Sequence, residues 1–466
     1  MDRNLLEKLA GGLLTEGMTS GEFVALAQEA TASPPPTTAE LGEVTLDLDR
    51  RRRCGFPEVI FGEGKTVATL AKIMERMREE KVRVLITRIS PEKGNELRAL
   101  FPITERAIYF NHAAISPPPL STIQAVEAQL KDVHENGSAN FRDWLAVKEQ
   151  ARGLLANLLG ARPEQVAFMR NTSDALSTVA NGLNWRPGDN IVTFSREFPS
   201  NIYPWLRLRD AFGVEVRMCE EHGGRIDFAE LASLIDDNTR IVAISHVQYA
   251  SGFRMDLERL GRVARQHDAL FVVDAIQALG VIPTDVGAEF IDVAAGASHK
   301  WLLAPEGIGY LYLSDRARER IQPTLVGWVS VPNPDGYLDF EQGWNRGTLA
   351  WETGTGPTAL IYGFKASLEL LTRFGVRNIA NYLEELTDDL CERLRAKPYE
   401  VVSSREHGEK SQIVCIRHLD GLSAMALYHQ LHTRQIIVAP RNDRLRIAPH
   451  FYNTPSEVEA FVAALP

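Results

Sequence analysis

From residue 102 onward, short apolar runs alternate with segments whose apolar residues recur every three or four positions. The runs QVAFMR, DNIVTFS, TRIVAISHVQ, ALFVVDAI, IDVAAGAS and GIGYLYLS are rich in Val, Ile and Phe and bounded by Gly, Asp or Asn, which predicts buried parallel strands. Between two of them, IDFAELASLI places Asp227 and Glu230 at capping-box spacing and turns Phe228, Leu231, Leu234 and Ile235 to one helical face. MDLERLGRVARQH repeats the helical pattern. Such alternation implies right-handed crossovers, an α/β fold with a mainly parallel sheet, and ligands bound beyond the carboxyl ends of its strands. After about residue 360 the order changes: helices in FKASLELLTRFG and NIANYLEELTDDLCERLRAK precede strands near SQIVCIRHL and RLRIAPHF and a last helix. A large domain over 102–355 and a smaller α+β domain over 356–466 are therefore expected.

The first hundred residues have another texture. MDRNLLEKLAGGLL predicts an amphipathic helix, TASPPPTTAE breaks it, and LDLDRRRRCGFPEVIFGEGKT leads to a helix in VATLAKIMERMREE and a strand in VRVLITRIS. The run Arg50 to Arg53 is either a solvated charge run or a phosphate-binding patch. Residues 1–101 are expected to be an accessory module; the prolines at 34–36 mark a linker, and SPPPL at 116–120 marks the turn before the first long helix of the catalytic part.

Composition narrows the partners. A chain of 466 residues with 44% hydrophobic and 24% charged residues is globular and long enough for two or three domains. Its net charge of −10 argues against nucleic acid and favours a small-molecule substrate. Four cysteines without CxxC spacing suggest neither a metal site nor a disulfide framework. There is no signal-peptide pattern and no run of about 20 apolar residues, so a cytoplasmic protein outside the membrane is expected.

Chemistry concentrates after the strands. Lys300 follows IDVAAGAS, and Asp274 ends the apolar run ALFVV, where a buried carboxylate calls for a cationic partner. An amine to condense with an aldehyde and a carboxylate to keep a ring nitrogen protonated are what pyridoxal 5'-phosphate (PLP) requires of a protein. Thr172 and Ser173 stand where FMRNTSDALSTVANGL passes from strand to helix; they either cap that helix or cradle the coenzyme phosphate. Gln277 is either a donor to the coenzyme phenolate or a solvated amide, and His299 is either a phosphate ligand or a turn residue. Phe198 either stacks on the pyridine ring or fills the core, and Arg446 either clamps a substrate carboxylate or lies on a strand surface.

With these residues in view, the stretch from YFNHAAISPPP at 109–119 to LRIAPHFYNTPSEVEAFVAAL resembles a class V aminotransferase of PLP fold type I. That group holds cysteine desulfurases, selenocysteine lyases, kynureninases and isopenicillin N epimerases. The resemblance implies a large domain with a seven-stranded, mainly parallel sheet and a small C-terminal domain. It also implies Lys300 as the Schiff-base lysine, Asp274 at the ring nitrogen, Gln277 at the phenolate, Thr172, Ser173 and His299 at the phosphate, and Arg446 at the substrate carboxylate. Thr355, in WETGTGP, resembles the residue that reaches the phosphate of a neighbouring subunit, which implies a homodimer. LDLDRRRRCGFPEVIFGEGKT and VLITRIS resemble the N-terminal region of the carboxylase that begins nickel-pincer nucleotide synthesis, so residues 1–101 are expected to bind a protein partner or to regulate.

Departures from the pattern shape the expected reaction. Phe198 stands where desulfurases carry a proton-transferring histidine, QIIVAPRNDRLRI lacks their nucleophilic cysteine, Ala297 replaces a phosphate-binding serine, and His246 stands where an asparagine is frequent on the substrate side. Cys415, in QIVCIRH, reads as a buried inert thiol. The expectation is an amino-acid Cβ–S lyase without a persulfide cysteine, with epimerisation or transamination as the alternative. A PLP-binding interaction protein with a vestigial site is the alternative outside catalysis.

Overall fold

All six apolar runs become strands, and a seventh joins them at the edge. The computed structural model describes residues 97–466 throughout. Before them it describes the strands Thr38–Glu40, Thr45–Asp47, Glu58–Phe61 and Val84–Thr87 and the helical positions Thr69, Lys72, Ile73 and Arg76. The sheet strands are β1 (Val166–Met169), β2 (Asn190–Phe194), β3 (Glu215–Cys219), β4 (Thr239–Ser245), β5 (Leu270–Asp274), β6 (Val293–Ala297) and β7 (Gly309–Leu313), in the spatial order β1-β7-β6-β5-β4-β2-β3. The strand missed in the sequence, β3, is one of the two edge strands, opposite β1. Its pattern is interrupted by Glu215 and Arg217, because one of its sides has no neighbour to bury it.

One expectation needs correction: β7 runs antiparallel to both of its neighbours. The connection from Ala297 to Gly309 contains no helix, and a parallel return requires a crossover long enough to hold one. The other six strands are parallel, so their carboxyl ends share one edge.

Alternation along the strands builds two cores. Leu270 and Val272 face one side of β5 with Trp205, Leu176 and Val179, whereas Phe271 and Val273 face the other with Leu155, Leu260 and Phe364. Helices therefore cover both faces, and each fully buried Leu, Val or Phe contributes about 1.5–3 kcal/mol. Asp227 caps its helix through Ala229 and Glu230 N–H at 2.8 and 3.0 Å, but the return contact of a capping box is absent, because Glu230 Oε1 accepts instead from Glu220 N–H at 3.1 Å. A second sheet of β8 (Tyr399–Val401), β9 (Val414–His418), β10 (Ala439–Arg441) and β11 (Arg444–Ile447), ordered β8-β9-β11-β10, carries its own core with Leu386, Leu427 and Phe461.

The chain divides at Lys93/Gly94 rather than at 101/102. Phe101 is the reason: it is fully buried and stacks on Tyr452 with ring centroids 3.9 Å apart, while Arg98 pairs with Glu457 at 2.9 Å. Residues 94–466, both sheets included, form one compact unit, with no division at 355/356. In the front unit Glu58–Phe61 pairs parallel with Val84–Thr87, and Thr38–Glu40 pairs antiparallel with Thr45–Asp47. The N-terminal amphipathic helix and Arg50 to Arg53 lie outside the described residues, as does most of VATLAKIMERMREE.

Candidate active site

Lys300 lies in a loop tied to the sheet by hydrogen bonds. Beyond β6, Ser298 donates its hydroxyl to the Pro305 carbonyl and its N–H to Ile308 O at 3.1 Å, and Ala304 N–H returns to Ser298 O at 3.1 Å. Trp301, fully buried, donates its indole N–H to Gln277 Oε1 at 2.8 Å. These ties aim the lysine between them into a cavity of about 230 Å³ at the carboxyl edge of the sheet. Burial pulls the Lys300 amine below the ordinary lysine range; Asp274 opposes this, and Arg446 and Arg441 reinforce it.

Asp274 ends β5 and is 1% exposed. Its Oδ1 accepts Ile276 N–H at 3.0 Å, while its Oδ2 is buried without a partner among the described residues. Burial pushes its carboxyl up, and the nearby Glu197 adds to the rise. A buried, unanswered carboxylate oxygen is a place for a cationic N–H.

At the amino end of the helix Thr172–Gly182 the capping position belongs to Asn171. Its side chain accepts Asp174 N–H at 2.9 Å, so the capping position is filled by asparagine. Among the described residues the Thr172 hydroxyl is then left buried and unpartnered, and Ser173 meets the Ser200 hydroxyl at 2.7 Å. Gly309 lets this turn approach the sheet: a Cβ there would lie 2.6 Å from Gly296 O and 3.0 Å from Asn171 Cα. Backbone N–H groups of a helix start and free hydroxyls are suited to a phosphate. His299 lines the same cavity, its imidazole kept neutral by burial and by Lys300, with the pKa down to about 4.

Gln277 is buried, donating to Ala113 O at 3.0 Å, so the solvated-amide reading does not hold. Phe198 is 41% exposed at the cavity, with Lys300 Nζ 5.4 Å from its ring centroid, so it is not a core aromatic. Arg446 is 1% exposed, donates to Tyr249 O at 3.0 Å, and has its pKa depressed to about 9 by burial and by Arg441.

Two expected residues are elsewhere. His246 follows Ser245 at the end of β4, and successive side chains on a strand face opposite ways. Ser245 turns to the buried Glu197, while His246 borders a separate cavity with Arg254 and Glu289; burial and Arg254 keep its imidazole neutral, with the pKa down to about 3. Thr355 is exposed and does not line the cavity of its own chain. The sequence reading missed Tyr249, Ser200 and Arg441, which do line it. Tyr249 packs edge-on against Phe198, with ring centroids 5.2 Å apart. Its signal was its place four residues beyond a strand end. Arg441, in PRND, reads as a solvated turn.

A family profile described as Aminotransferase class-V matches residues 108–461. The chain belongs to the class-V aminotransferase family. A second profile, the LarB/PurE-like N-terminal domain, matches residues 38–116. Over 307 residues the chain is 32% identical to a probable cysteine desulfurase of Methanothermobacter thermautotrophicus, covering 64% of this chain and 75% of that protein. An uncharacterised aminotransferase of Bacillus subtilis, YcbU, is 26% identical over 78% of this chain and 95% of its own. The apo structure of the cysteine desulfurase from Thermococcus onnurineus NA1 superposes with a TM-score of 0.72 at 26% identity, covering 79% of this chain and 96% of that one.

A class-V chain with cysteine desulfurase relatives is a PLP-dependent enzyme of fold type I. The residues fit the coenzyme: the unpartnered Asp274 Oδ2 suits a ring N–H, and the unpartnered Thr172 hydroxyl at a helix start suits its phosphate. Among the described residues no helix is long and apolar enough to cross a membrane.

Proposed function

We propose that this enzyme is a lyase that breaks a Cβ–S or similar bond of an α-amino acid without passing sulfur to a cysteine of its own. The observation that carries this reading is the chemistry of the cavity wall. It has an amine, two guanidiniums, two serine hydroxyls and two aromatic rings, but, among the described residues, no thiol. Cys219 and Cys415 are buried, with thiols pushed up by burial to about 12 and about 11, and Cys391 also lies away from the cavity.

When bound, PLP supplies an electron sink for the negative charge that develops at the substrate Cα. The Lys300 amine, held neutral more readily by its burial, takes the proton from Cα. Asp274 would keep a proton at the ring nitrogen through its unpartnered Oδ2, and Phe198, whose ring lies 5.4 Å from Lys300 Nζ, would pack against the coenzyme ring. Arg446 orients the substrate carboxylate with its guanidinium. With no thiol to receive it, the sulfur leaves as a free group.

Tyr249 favours a second reading. Its phenol beside Phe198 is a second proton carrier in the cavity, as epimerisation requires. Product analysis separates the two: sulfur amino acids should yield a 2-oxo acid and a free sulfur species, and Lys300→Ala should yield neither. Inverted or aminated products alone would replace the lyase reading.

We further propose that two copies pair, with Thr355 serving the neighbouring site. Leu338 and Phe340, 89% and 86% exposed, support this, because apolar side chains so open to water are apt to be covered by a partner. Free thiols suit a reducing, cytoplasmic setting.

A further inference from the structure

The hairpin of β10 and β11 makes a tight turn at Asn442 and Asp443, with Asn442 at φ 54°. Residues directly opposite one another share a face of a sheet, so the pairs Arg441↔Arg444 and Ala439↔Arg446 turn three arginines to one side. Leu445 and Ile447 occupy the other side, in the core.

These arginines are not treated alike. Arg444 is answered by Glu221 and by Asp443 at 3.6 Å, and Arg417 on β9 by Glu400 at 2.7 Å and Asp443 at 2.8 Å. Arg441 and Arg446 have no carboxylate within ion-pair distance among the described residues. Their hydrogen bonds go to the neutral oxygens of Pro440 at 2.8 Å, Tyr249 at 3.0 Å and Asn111 at 3.5 Å. Asp443, two residues from Arg441, is turned away to Arg417 and Arg444.

Both unanswered guanidiniums line the cavity that holds Lys300. Burial depresses both, and each is felt as a repelling charge by Lys300. Leaving the buried Arg446 and the half-buried Arg441 without counter-ions is costly, and an anion that completes the site offsets that cost. One substrate carboxylate answers Arg446 and leaves Arg441 over. The phosphate has its own cradle at Thr172 and Ser173.

We infer that the substrate is an amino acid carrying a second oxyanion on its side chain, a carboxylate, sulfinate or sulfonate, which Arg441 receives while Arg446 holds the α-carboxylate. This inference rests on the reading of the cavity as a PLP site for amino acids. On the Cβ–S reading the second charge lies on the departing sulfur group.

The test compares matched pairs on the holoenzyme by titrating the coenzyme spectrum: aspartate with asparagine, cysteine sulfinate with cysteine, and S-carboxymethylcysteine with S-methylcysteine. The acidic member of each pair should bind about 10- to 100-fold more tightly, the range expected of a hydrogen-bonded charge pair. Arg441→Met should bring that ratio close to one, and Arg441→Lys, which keeps the charge if methionine disturbs folding, should retain part of it. Acidic members that bind no better than their partners in the unaltered enzyme would overturn the inference and leave the PLP reading standing. So would an Arg441→Met variant that keeps the ratio, or one whose first defect is loss of the coenzyme. If no amino acid changes the spectrum, the underlying reading falls too.

Discussion

At the scale of single residues, Lys300 is placed where a positive charge is penalised. Its side chain is nearly out of water, and this burial, which Asp274 opposes and Arg446 and Arg441 reinforce, draws the amine toward its neutral, nucleophilic form. Removing the Arg446 charge by Arg446→Met should let that amine become more basic. The pH midpoint for reaction of Lys300 with an amine-directed reagent, measured on the coenzyme-free protein, should then move upward. A midpoint that stays or falls would mean that Arg446 does not act on the lysine. The sequence made Lys300 and Asp274 legible, because each follows an apolar run that leaves a charge no cheap explanation. Arg441 and Tyr249 were not legible, because what brings them to the lysine is a hairpin from a distant part of the chain and a loop beyond β4.

At the scale of elements, the helix Thr172–Gly182 separates two roles that the sequence left merged. Asn171 caps it, which leaves Thr172 free for the ligand. Asn171→Ala should therefore cost about 1 kcal/mol of stability. Thr172→Val should cost little stability and yet weaken coenzyme retention, since it removes an unpaired buried hydroxyl and no fold contact. Chemical denaturation of the coenzyme-free protein and dialysis of the loaded protein measure the two quantities; a Thr172→Val variant as destabilised as Asn171→Ala would return the threonine to a structural role. Central strands such as Leu270–Asp274 were readable because both faces are buried and the run is uniformly apolar. The direction of β7 and the edge strand β3 were not, since direction depends on how the connection returns and an edge strand needs only half the apolar signal. His246 was misplaced for a related reason: a one-residue step along a strand end exchanges the cavity for the opposite side.

At the scale of the whole molecule, one compact unit from Gly94 to Pro466 holds both sheets, with the cavity at the carboxyl edge of the larger. The sequence separated a small domain because the order of elements changes near residue 360. The structure unites it with the rest because the helix Thr358–Phe374 buries Ile361, Phe364 and Leu368 in the core shared with the large sheet. The open apolar loop around Phe340 yields a prediction at this scale. Sedimentation of the full chain should give twice the 51.9 kDa protomer mass, and Phe340→Asp should shift it toward monomers with weaker coenzyme retention. A monomeric parent would remove the role assigned to Thr355.

The account depends most directly on a covalent bond between Lys300 and the coenzyme aldehyde. The protein loaded with PLP is reduced with borohydride and digested, and the modified peptide is located by mass spectrometry. The coenzyme mass should be fixed on Lys300 alone and be absent from Lys300→Ala; a label on another lysine, or none after loading, would contradict the account.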